Sequence, residues 1–116
     1  MMGIIMINVS KYISTFTQQE VSSLFDSAQA LKKSREYTCL LSPKQKESAR
    51  ILIVTPRASG SAPERNLVKR RLRSLFYENR LFEGQYDCAV IIKAHGAENI
   101  TYDTLKRLIN RIKACK

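Results

Sequence analysis

Three helical patterns and three strand-like runs alternate along this chain. From Thr17 to Ala30, Val21, Leu24, Phe25 and Ala28 recur at helical spacing, and Thr17 with Glu20 forms a capping box, so the stretch predicts a first helix. Leu31 to Arg35 reads from pattern alone as a short basic connection. Glu36–Leu41 (EYTCLL) and Arg50–Thr55 (RILIVT) are short runs of β-branched, aromatic and aliphatic residues. Pro43 punctuates the turn between them. The second run is almost continuously apolar, which predicts a central strand, paired antiparallel with the first as a hairpin. After the loop Pro56–Ser61, a long helix is expected over Ser61–Asn79. Gly84 lies in a break, Tyr86–Lys93 (YDCAVIIK) reads as the last strand, and Ala94–Asn99 reads as a loop in which His95-Gly96 marks a turn. A final amphipathic helix over Thr101–Ala114 points Leu105, Leu108, Ile109 and Ile112 inward. It leaves Lys106, Arg107, Arg111 and Lys113 as a solvated face.

The long helix is the most informative element. Ser61 is a good N-cap, Glu64 is its capping-box partner and Pro63 falls in the first turn. At about 100° per residue, Val68, Leu72, Leu75 and Phe76 share one arc wide enough for a core face. Arg65, Asn66, Lys69, Arg70 and Arg73 share the neighbouring arc, while Leu67 and Arg71 lie off both. Like charges this close repel, so a row of them suits a polyanion better than water.

Charge strengthens that reading. The 116 residues carry 20 Lys and Arg against 10 Asp and Glu, a formal net charge of +10. Such an excess favours nucleic acid or an anionic membrane surface. No apolar run approaches the ~20 residues needed to span a bilayer, and no membrane partner is expected. The length suits a single domain over 16–116. The opening MMGIIMINVSKY reads as a poor signal peptide, and residues 1–15 are expected to form a tail outside the domain, its first residues either disordered or an artefact of the start site, since Met1, Met2 and Met6 all offer one. Cys39, Cys88 and Cys115 lack metal-ligand spacing and read as reduced thiols of a cytoplasmic protein. No nucleotide-binding or hydrolase motif is present, and no carboxylate pair is placed by sequence for acid–base work, so no catalytic or metal-ligating residue is assigned.

The order of residues in the long helix says more. Ala62-x-x-Arg65-Asn66-Leu67-Val68-Lys69-Arg70-x-Leu72-Arg73 resembles the signature helix of the bacterial ribonuclease P protein component, with Leu67 where that family usually has a third basic residue. Tyr86–Lys93 is similar to its fourth strand. The resemblance implies an α+β fold, an α/β sandwich of order α-β-β-β-α-β-α. It also implies a brief strand within Leu31–Arg35, a mixed four-stranded sheet and a left-handed βαβ crossover carrying the basic helix. It implies the protein subunit of an RNA-based endonuclease that removes the 5′ leader of precursor tRNA, with the catalytic groups and Mg²⁺ ions held by the RNA subunit and substrate. Its partners would be the ribonuclease P RNA subunit and precursor tRNA, with no protein partner predicted. Arg65, Asn66, Lys69, Arg70 and Arg73 would contact the RNA subunit. Arg57 would too, alone in a loop that the family makes strongly basic.

The resemblance further implies that Phe25, Tyr37 and Lys93 line a cleft for the single-stranded leader. From the residues alone, Phe25 reads by default as a packing residue, Tyr37 equally as a packing residue or a contact, and Lys93 equally as a solvated lysine. The family's second aromatic, one turn before Phe25, is replaced here by Val21. The alternative function is a generic ribosome-associated RNA-binding module, which composition by itself does not separate from the first.

Overall fold

The computed structural model describes residues 16–115, so the expectations for residues 1–15 lie outside it. Helix α1 (Gln18–Ser27) is followed by strands β1 (Gln29–Lys33), β2 (Tyr37–Pro43) and β3 (Ile51–Val54). Next come the long helix α2 (Ala62–Glu78), β4 (Tyr86–Ile92), the one-turn helix α3 (Gly96–Asn99) and α4 (Tyr102–Lys113). The strands form one mixed sheet in the order β1-β2-β4-β3. β4 runs antiparallel to β2 and parallel to β3. This is the expected α+β architecture, with α2 inside the β3–α2–β4 crossover.

Two expectations about the sheet are corrected. β2 and β3 are not a hairpin, and β3 is an edge strand, because β4 inserts between them. Asp87 supplies the reason. Its carboxylate is fully buried and accepts from the backbone N–H of Arg50 at 2.8 Å and of Gln45 at 3.3 Å. Both ends of the 44–50 connection are therefore tied to β4. Further bonds from Lys44 N to Gln85 O and from Cys88 N to Arg50 O continue the seam. A buried carboxylate without donors is costly, and the Arg50 and Gln45 N–H groups supply them.

α1 is also shorter than its apolar spacing suggests. Ala28 is already extended, and the chain turns into β1, whose residues are mostly exposed and which carries a register irregularity between Ala30 and Lys32. An exposed, irregular edge strand has no alternation to read. At 94–99 the expected loop contains the turn of α3. His95 takes a left-handed conformation before Gly96, where a Cβ would stand 2.2 Å from the Glu36 carbonyl oxygen, so only glycine fits.

The core lies on one face of the sheet. Tyr37, Cys39, Ile51, Cys88, Val90 and Ile92 meet Val68, Leu72, Leu75 and Phe76 of α2 and Leu105, Leu108, Ile109 and Ile112 of α4. Both predicted apolar faces are the buried ones. Leu24 of α1 is fully buried outside this cluster, and α1 crosses the opposite face, where the Ser27 and Ser42 hydroxyls are 2.7 Å apart.

A polar network holds α1 in place. The buried Arg50 guanidinium pairs with Glu20 at 3.0 Å, bonds Gln45 and lies 4.0 Å from the Phe16 ring centroid. The Thr17 N–H, then Arg50, hold the Glu20 carboxyl down at about 2. Because this folded-state value lies below the unfolded one, the stabilisation is present above about pH 4.5 and is lost as pH falls toward 2. Burial acts in the opposite sense on Asp87, raising its carboxyl. We expect Glu20→Gln to flatten the loss of melting temperature between pH 5 and pH 2–3 (roughly the range over which a carboxylate so shifted titrates). An acid limb identical to that of the wild type would assign the effect elsewhere.

Candidate nucleic-acid interface

α2 presents its cations as its sequence predicts. Ser61 caps it, accepting from the Glu64 N–H while the Glu64 carboxylate accepts from the Ser61 N–H, and these bonds hold the Glu64 carboxyl below the usual range. With Val68, Leu72, Leu75 and Phe76 pinned in the core, Asn66, Arg70 and Arg73 are exposed and Arg65 and Lys69 half-buried. None of Arg65, Lys69, Arg70, Arg71 and Arg73 forms an ion pair with a carboxylate among the described residues. Arg71 lies 5.3 Å from the ring centroid of Tyr102 on α4. Arg57 is exposed in a 3₁₀ turn (Arg57–Ser59) that is held to the start of α3 by His95 N donating to Ala58 O at 2.8 Å.

The three residues expected to share a leader cleft are not brought together. Phe25 is 39% exposed near the end of α1, close to the Ser42 end of β2. Tyr37 stands at the other end of β2, five residues or about 17 Å along the strand. Tyr37 is 4% exposed and faces the core, on the side of the sheet away from α1. Stacking on Tyr37 is therefore corrected to core packing, since a base cannot reach a buried ring. Lys93 lies at the same end as Tyr37, and its Nζ donates to the Ser34 carbonyl at 2.7 Å. It clamps the turn between β1 and β2.

What accompanies Phe25 is the sheet face that α1 leaves uncovered. Thr38 and Leu40 of β2, Leu52 and Val54 of β3 and Ile91 of β4 point to that side and are all half-exposed. Sequence reasoning missed these five residues. Leu52 and Ile91 lie in apolar runs that read as fully buried, and nothing in such a run tells which alternate positions a neighbouring helix fails to cover.

Burial pushes the Cys39 thiol up to about 12 and raises that of Cys88 well above its ordinary value, so neither is an activated nucleophile. The donor set does not fit a resident metal either. No three His, Cys, Asp or Glu side chains cluster for one among the described residues, while Glu20 and Asp87 are committed to Arg50 and to backbone N–H groups. No helix among the described residues is long and apolar enough to cross a membrane.

Among the described residues, a mixed α+β fold with a cationic helix free of carboxylate partners on one side and a half-exposed, partly apolar sheet face on the other defines a basic RNA-binding protein. The chain belongs to the ribonuclease P family: residues 16–115 match the family model Ribonuclease P. It is accordingly a ribonuclease P protein, a family that acts with a ribonuclease P RNA. Its fold is similar to that of the RNase P protein of Staphylococcus aureus, at 17% identity and a TM-score of 0.71 over 89% of this chain and 94% of that one. It is also similar to the RNase P protein of Thermotoga maritima, at 22% identity and a TM-score of 0.69 over 89% and 97%. No curated protein matches the chain by sequence comparison alone.

Proposed function

We propose that this chain binds the ribonuclease P RNA through the outer side of α2 and guides the 5′ leader of precursor tRNA along the uncovered sheet face, acting in the cytoplasm. The observation that carries the proposal is the row Arg65, Lys69, Arg70 and Arg73, held in place by a packed core face and left without carboxylate partners among the described residues. Cations so placed neutralise phosphates, Asn66 adds an amide that bonds backbone or base edges, and Arg57 extends the positive surface ahead of the helix. Phe25 is the stacking residue for an unpaired base, with the half-exposed Leu40, Leu52 and Ile91 as the apolar bed beyond it. The catalytic groups belong to the RNA. Mg²⁺ is held by the RNA and the substrate. The protein contributes position and charge neutralisation.

Reconstitution tests this. Adding the protein to bacterial ribonuclease P RNA at low Mg²⁺ is expected to raise cleavage of precursor tRNA. The same complex should bind precursor more tightly than mature tRNA. Phe25→Ala should reduce that preference by roughly tenfold, as loss of one stacked base does. Absence of any stimulation by the wild-type protein would remove the proposal.

A further inference from the structure

The sequence assigns Arg107 and Arg111 to a solvated face, but their setting in the fold is more specific. α4 carries cations on two flanks. Lys106 lies 5.7 Å from the Tyr102 ring centroid and continues the Arg71 side of α2. Arg107 and Arg111, one turn apart, are on the other flank and border a cleft of about 360 Å³ between α4 and the β1–β2 turn. Lys32 of β1 enters the same cleft. Thr104 and the small exposed edge of the otherwise buried Tyr37 line it too, and Glu36 is its one acidic residue, leaving it two positive charges in excess. None of Lys32, Arg107 and Arg111 pairs with a carboxylate among the described residues. The one side-chain bond of the three is Arg107 Nη2 to Thr104 Oγ1 at 3.3 Å.

Two arginines at i and i+4 repel on an isolated helix. Here a lysine from a different element is added to them around a concavity, while the nearby Glu36 forms no ion pair among the described residues. A solvated face does not call for that arrangement. It fits a phosphodiester, which is compact, monoanionic and rich in acceptors for guanidinium groups. The volume lies in the range of small-ligand sites, large enough for a sugar-phosphate unit.

We propose that this cleft is a second phosphate site, which takes a backbone phosphate of the ribonuclease P RNA on the α4 side of the fold. It rests on the reading that the chain binds that RNA, but not on the assignment of α2. Contacts on both α2 and the far flank of α4 hold a folded RNA in one orientation, which a single row of cations does not.

The test compares three proteins for affinity to ribonuclease P RNA as a function of salt: Arg107→Ala/Arg111→Ala, Lys32→Ala, and Arg65→Ala/Arg70→Ala. Thermal melting without RNA serves as the folding control. The α4 double variant is expected to melt like the wild type and to bind with a log–log salt slope shallower by ~1–2, and Lys32→Ala by up to ~1. Arg107→Lys/Arg111→Lys, which keeps the charge, should recover most of the slope. If the α4 and Lys32 variants keep the wild-type slope while the α2 variant loses it, the cleft is no RNA site and the α2 reading stands. If only the α4 and Lys32 variants lose it, the cleft stands and the α2 assignment fails. If the wild-type protein does not bind the RNA, both fall.

Discussion

With Arg65, Lys69, Arg70 and Arg73 all replaced by alanine, the protein is expected to keep its fold and lose most of its salt-dependent affinity for ribonuclease P RNA. Each phosphate neutralised contributes a little under one to the log–log salt slope, so four contacts correspond to a slope shallower by about 3. Between ~50 and ~200 mM salt, that difference amounts to roughly two orders of magnitude in affinity. The fold should survive because the core arc of α2 is a separate set of residues, Val68, Leu72, Leu75 and Phe76, which the substitutions leave untouched. Ion-pair loss is also absent from the balance, since none of the four has a carboxylate partner among the described residues. Titrations at several salt concentrations measure the slope, and circular-dichroism melting checks the fold. A variant that melts far below the wild type would make the row structural; one that binds with an unchanged slope would make it a solvated face.

Leu72→Ala is expected to do the opposite. Leu72 is fully buried between α2, the sheet and α4, and its removal leaves a cavity that a sheet clamped by two helices relaxes into poorly. The expected loss is about 2–5 kcal/mol, a large share of the stability of a domain this size. Chemical denaturation should show the midpoint falling with little change in slope. At temperatures where the variant remains folded, RNA affinity should stay close to that of the wild type, because the cations stay on the helix. A loss below ~1 kcal/mol would mean that the α2 interface is loosely packed. Set beside the quadruple variant, Leu72→Ala separates the two sides of one helix, one acting on stability and the other on binding.

The α2 side of the site was legible because everything that defines it is local. The Ser61–Glu64 box, Pro63 and the period of Val68, Leu72, Leu75 and Phe76 set both the start of the helix and its rotation. Rotation then fixes where Arg65, Lys69, Arg70 and Arg73 emerge. α4 was legible for the same reason, through Leu105, Leu108, Ile109 and Ile112. The sheet was less so. Its strands were visible as apolar runs, but strand neighbours depend on partners far apart in the chain, and Asp87, which draws both ends of the 44–50 connection to β4, lies 37 residues beyond Arg50. β1 escaped pattern reading because an exposed edge strand has no buried alternation.

The expected leader cleft shows the same division. Phe25 was rightly placed on α1, but whether its ring, or that of Tyr37, is open to a base depends on which sheet face α1 crosses and which face α2 and α4 seal. Tyr37 is sealed, Lys93 holds a turn, and the uncovered face belongs to residues that the sequence marks only as apolar. The amino-acid order alone thus determined the helices, their apolar sides and the cationic row, since short-range periodicity and capping suffice for those. Only the tertiary structure decided the strand order, which aromatic ring reaches solvent, and the meeting of Lys32 with Arg107 and Arg111, because side chains from distant segments become neighbours only when the sheet and its helices pack.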